Sequence, residues 1–66
     1  MNGPRTWTVR TISKTGTDYH ELVFPRQKDA YDFALDWFFD DPALLRIALE
    51  DGAGRADPLI LDRRAA

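Results

Sequence analysis

Ser13, Asp18 and His20 can be named as a nucleophile, an orienting carboxylate and a base, since the chain has one serine and one histidine and Asp18 lies in the loop between them. A hydroxyl becomes nucleophilic near neutral pH only when an imidazole within hydrogen-bond reach takes its proton and a third group holds that imidazole. His20 lies in YHELVF, a run of strand composition. Neighbouring strand side chains point to opposite faces, so Tyr19 and Glu21 cannot join His20 at one site. Nothing around Ser13 supplies an activating context. The expectation is a half-exposed strand histidine and no enzyme.

Other chemistries fail on spacing. Asp36 and Asp40 share a helix face and Asp41 follows them, an oxygen-rich set for Mg²⁺ or Ca²⁺. A calcium loop, however, needs ligands at alternate positions and a glycine at the sixth. The solvated acidic face is the better reading, and no metal is expected. Gly3, Gly16, Gly52 and Gly54 build no phosphate cradle, since GAG lacks the spacing and the lysine of a P-loop. No cofactor follows. With no cysteine, disulfides and thiolate metal sites are absent, and the redox compartment cannot be read.

Charge is more informative. The formal net charge of −2 conceals a division along the chain. Residues 1–28 carry five basic and two acidic side chains (net +3), residues 29–51 one and seven (net −6), and residues 52–66 three and two (net +1). Arg5, Arg10 and Lys14 stand near Trp7 and Tyr19, and single-stranded nucleic acid can stack on such a surface. The chain as a whole is acidic and has no dense basic stripe, so nucleic acid is not the expected partner, and Trp7 reads as core.

The negative charge concentrates in QKDAYDFALDWFFDD, Gln27 to Asp41. At about 100° per residue, Asp29, Asp32, Asp36 and Asp40 fall on one stripe roughly 80° wide. Ala30, Tyr31, Phe33, Ala34, Leu35, Trp37, Phe38 and Phe39 fill the remaining arc of about 240°, whereas one packing partner covers little more than 100°. Some aromatic surface should stay uncovered, and Phe33, Trp37 and Phe39 are the candidates. Aromatic residues of this kind anchor interfaces. Pro25 suits the helix start, because its fixed φ fits the first turn and its missing N–H would have no partner there. Asp40 and Asp41 oppose the dipole at the far end, and Asp41 before Pro42 reads as a cap or turn residue.

The helix needs a sheet. RTWTVRTIS from Arg5 alternates Trp7 and Val9 with Thr8 and Arg10. KTGTD forms a loop of about five residues, and YHELVF returns with Leu22 and Phe24 on one face and Tyr19, Glu21 and Val23 on the other. Alternation fails at Ile12 and Val23, which allows a bulge. Beyond Pro42 two readings stay open. PALLRIALED tolerates a second helix, giving ββααβ; its alternation of Leu45, Ile47 and Leu49, the turn DGAG and the returning PLIL favour a second hairpin.

The preferred architecture is α+β: one domain over 1–66, a four-stranded antiparallel sheet packed on one helix in the order ββαββ, with 1–4 and 63–66 as frayed tails. Trp7, Val9, Leu22, Phe24, Ala34, Trp37, Ile47 and Ile60 are the predicted core. A chain of 66 residues buries only about 60% of its unfolded surface, so two copies sharing a core is an attractive arrangement. No apolar run resembles a signal peptide or a membrane span, and a cytoplasmic protein is expected. The function that follows is a non-enzymatic protein–protein interaction domain, self-associating through the aromatic flanks of its acidic helix. Its partner-binding residues are Asp29, Asp32, Asp36, Asp40, Phe33, Trp37 and Phe39. A first alternative is a small acidic inhibitor of the phage anti-defence type, mimicking nucleic acid to block a basic protein. A second is a weak single-strand binder acting through the N-terminal hairpin.

Overall fold

The computed structural model describes residues 5–64. The expected tails at 1–4 and 65–66 lie outside the described residues. The elements are β1 (Arg5–Ser13), β2 (Gly16–Phe24), α1 (Gln27–Asp40), β3 (Leu44–Asp51) and β4 (Leu59–Asp62). The four strands form one antiparallel sheet in the order β2-β1-β3-β4, with α1 on one face. This is the ββαββ arrangement. Residues 44–51 are a strand, which removes the ββααβ alternative. No helix among the described residues is long and apolar enough to cross a membrane.

The β1–β2 connection is tighter than the five residues expected. Ser13 pairs with Gly16, leaving only Lys14 and Thr15 in the turn. Gly16 has φ 150°, in the positive region that favours glycine, and the Ser13 hydroxyl bonds Thr15 Oγ1 at 3.1 Å and donates to the Gly16 carbonyl at 3.2 Å. The bulge lies in β3 rather than the first hairpin. Ile12 pairs with Arg46 and Ser13 with Leu44, so Leu45 is left without an opposite number. One extra residue reverses the side-chain phase. Leu44 consequently joins Ile47 and Leu49 in the core, and Leu45 is only partly buried.

Helix α1 meets the sheet along Ala30, Ala34 and Phe38, an i, i+4, i+8 line. The two alanines allow close approach, and Trp7, Val9, Ile47 and Leu49 beneath them are fully buried. Of the predicted core, Trp7, Val9, Ala34 and Ile47 are buried, while Leu22, Phe24 and Trp37 are half-buried at its margin. Ile60 is a correction. The β3–β4 register sets Leu59 opposite Leu49 and Leu61 opposite Ile47, which turns both toward the helix and leaves Ile60 opposite Ala48, 49% exposed on the outer face.

At the start of the expected tail 63–66, the Arg63 N–H donates to the Leu45 carbonyl at 2.9 Å. Arg64 is likewise held, through its ion pair with Asp62.

After β3 the chain turns against β1 at Gly52, whose N–H donates to the Thr6 carbonyl at 2.9 Å. A Cβ at Gly52 would stand 2.7 Å from that same oxygen. Gly52→Ala must therefore displace backbone and is expected to lower stability by about 1 to 3 kcal/mol. Ile60→Ser, at an exposed position, should shift it by under about 0.5 kcal/mol. Denaturant midpoints of the two variants check both values, and a Gly52→Ala midpoint equal to the unaltered protein's would contradict the close approach.

Candidate functional site

Helix α1 begins without a side-chain cap. Arg26 is the extended residue before it, at φ −139° and ψ 151°, so Pro25 precedes the cap rather than opening the first turn. Asp41 ends the helix as a turn residue: its N–H donates to the Trp37 carbonyl at 3.0 Å, and its carboxylate accepts the Ala43 N–H at 3.1 Å. No basic residue stands in the last turn. The missing cation comes from the other end of the chain. The Arg63 guanidinium donates to the Phe38 carbonyl, to that of Asp41 at 3.2 Å and, through Nε, to that of Leu44 at 2.8 Å. Its carbon lies 4.0 Å from the centre of the Phe38 ring. A cation here satisfies terminal carbonyls and complements the dipole, which allows Asp40 to remain in the last turn.

The structure divides the aspartate stripe in two. Arg26 reaches Asp29 at 3.2 Å and Lys28 reaches Asp32 at 2.7 Å, so the N-terminal pair is compensated by neighbours in sequence. Among the described residues Asp36 and Asp40 form no ion pair. They rim a recess of about 420 Å³ that Phe33 and Trp37 complete. The two rings pack edge to face, with centroids 5.8 Å apart. β2 supports both from behind: Phe24 lies 5.3 Å from Phe33, and His20 lies 5.7 Å from Trp37. Phe33 is 38% exposed.

Phe39 does not belong to this recess. It projects from the other side of the stripe, 69% exposed, with Phe38 as its aromatic neighbour. The seven expected partner-binding residues therefore resolve into one cluster, Phe33, Asp36, Trp37 and Asp40, together with two internally paired aspartates and one separate phenylalanine.

Three aromatic rings already hold a guanidinium of their own chain: Arg5 over Trp7 at 4.8 Å, Arg10 over Tyr19 at 5.7 Å, and Arg63 over Phe38. Among the described residues no cation covers Phe33 or Trp37. The recess thus offers partly exposed aromatic rings and, among the described residues, unpaired carboxylates together, which is the chemistry that accepts a basic side chain.

The remaining candidates do not assemble. No hydrogen bond links Ser13, Asp18 and His20 among the described residues, and the Ser13 hydroxyl is engaged in its own turn. No three His, Asp or Glu side chains among the described residues converge as metal ligands would. Trp7 is fully buried, which withdraws it from any stacking surface on the hairpin.

Sequence reasoning missed one buried ion pair. Asp51, with its carboxylate shielded from solvent, is paired with Arg5 and accepts the N–H groups of Ala53 at 2.9 Å and Arg55 at 3.1 Å. An Asp three residues before Gly54 in DGAG was the available signal, since Asp side chains fold back on turns in this way. The Ala53 N–H, followed by Arg5 and the Arg55 N–H, outweighs burial and holds the Asp51 carboxyl below its ordinary value.

Two outcomes follow. Arg63→Ala removes the side-chain donor from the carbonyls of Phe38, Asp41 and Leu44, of which that of Asp41 keeps the Leu44 N–H at 3.1 Å, and is expected to cost about 1 to 3 kcal/mol, with amide exchange quickening in the last turn of α1 before the rest. For Asp51, a folded-state pKa below the unfolded value means its contribution is complete above about pH 4 and is lost as pH falls through the folded value. Asp51→Asn should therefore flatten the acid limb of the stability–pH curve, and thermal melts between about pH 2 and 6 test this. Comparison of the chain with protein-family models, curated proteins and solved structures gave no match.

Proposed function

We propose that this protein is a non-enzymatic interaction domain that binds a basic protein surface on the α1 flank. One observation carries the reading. Phe33 and Trp37 are supported by β2 from behind and open outward, and the two carboxylates beside them, Asp36 and Asp40, have no cation among the described residues. Carboxylates at i and i+4 repel one another by a few tenths of a kcal/mol, which an incoming Lys or Arg would reverse. A ring face adds roughly 0.5 to 2 kcal/mol for a cation held over it.

The same charges argue against self-association at this surface. A twofold interface apposes identical patches, so a second copy would bring its own Asp36 and Asp40 to the carboxylates already there. The nucleic-acid-mimic reading also loses support. Of the four evenly spaced aspartates such a protein would present, Asp29 and Asp32 are neutralised by Arg26 and Lys28.

The test separates the two halves of the stripe. Partners captured from the source cell are identified by mass spectrometry, and the affinity of the principal one is measured at about 0.05 and 0.5 M salt. Asp36→Asn with Asp40→Asn, or Trp37→Ala, should weaken binding tenfold or more, about 1.4 kcal/mol. Asp29→Asn with Asp32→Asn should change it less than about threefold, because those carboxylates are already paired. Equal losses for both aspartate pairs, or affinity insensitive to salt, would remove the reading.

A further inference from the structure

β2 is an outer strand, and its free edge has few of the features that usually blunt one. It pairs with β1 through nine consecutive residues, Arg5 opposite Phe24 to Ser13 opposite Gly16, without a bulge. It contains no proline and no lysine. The other outer strand, β4, is only four residues long. Among the described residues nothing pairs with the far side of β2. The edge also borders the recess. Phe24 and His20 contact Phe33 and Trp37 in turn, so α1 runs back along β2 with its aromatic flank above the strand.

From these two features we infer that β2 accepts an added strand: an extended segment of a basic partner protein whose side chains alternate between the helix side and the outer face. Main-chain hydrogen bonds to the free edge supply affinity in this mode, and pockets for alternate side chains supply selection. An added strand would lie about 4.8 Å from β2, with its helix-side residues about 6.8 Å apart. That sets them on the face of the sheet where Phe33 and Trp37 stand. The charge that meets it is acidic. Asp18 lies on the helix side of β2, Glu21 on the outer side, and Asp36 and Asp40 rim the recess, with His20 the one basic type on the strand. Lysine or arginine on the helix side of the incoming strand matches this pattern, with small β-branched residues between.

The inference rests on the proposed use of the α1 flank, and the test keeps the two apart. The probe is a synthetic peptide of alternating lysine and valine, compared with the same peptide N-methylated at alternate amides, which removes main-chain donors while preserving charge. Expected results are binding at or below about 1 mM, a loss of tenfold or more for one of the two N-methylation registers, and slowed amide exchange within residues 16–24 of the unaltered protein. Asp36→Asn with Asp40→Asn, folded by circular dichroism, should weaken the same binding. Binding that depends on Asp36 and Asp40 but ignores N-methylation and leaves β2 exchange unchanged overturns strand addition while keeping flank docking. Binding that responds to N-methylation but not to the aspartates overturns flank docking and, with it, the basic character of the added strand. No binding at 1 mM, or protection of β2 by dimerisation without peptide, overturns the proposal.

Discussion

The Arg63 guanidinium at the C-terminus of α1 makes the rest of the arrangement possible. The helix ends in carboxylates, where its dipole favours cations. A planar fork that donates to the carbonyls of Phe38, Asp41 and Leu44 satisfies those groups and supplies the absent charge. The same residue bonds through its backbone to Leu45, at the β3 bulge. One side chain thus ties the end of the chain to the helix and to the neighbouring strand. With that end neutralised from behind, Asp40 can stay on the outer surface beside Asp36.

A small core imposes the other constraint. Trp7, Val9, Ile47 and Leu49 are covered by the two alanines of α1, and the helix lies close because its contact line is small. Larger side chains are displaced to the margins, where Tyr31 packs edge to face on Trp7 and donates to the Asp57 carbonyl at 2.6 Å. At the far end of the sheet, Asp51 collects Arg5 and two turn N–H groups and fixes the segment that leads into β4. Polar groups therefore close both ends of a short hydrophobic layer, where a larger domain would use more apolar area.

The candidate site is a by-product of this economy. A helix with aromatic residues around most of its circumference can bury only the sector facing the sheet, and the sector above β2 keeps Phe33 and Trp37 partly open. Three other rings, those of Trp7, Tyr19 and Phe38, lie under the chain's own arginines. Among the described residues the acidic recess is left without one, next to a long strand edge that nothing pairs. The proposed binding of a basic, extended partner rests on these two features.

Periodicity determined the first hairpin with its faces, the helix and the acidic stripe, because side-chain direction in strands and helices follows from spacing of two and 3.6 residues, and with the turn chemistry of DGAG it favoured ββαββ over ββααβ. Trp7, Val9, Ala34 and Ile47 were legible as core for that reason, as were Phe33 and Trp37 as surplus aromatic surface. Tertiary structure decided everything that depends on phase between elements. The bulge at Leu45 placed Leu44 in the core, and the β4 register turned Ile60 outward, because a shift of one residue moves a side chain to the opposite face. It also decided which charges remain free. Asp29 and Asp32 find partners at i−3 and i−4 that helical spacing could have revealed, whereas the cation for the helix C-terminus comes from Arg63, 22 residues beyond Asp41 in sequence. Contacts at that separation arise only when the chain folds back on itself, and no local pattern in the sequence records them.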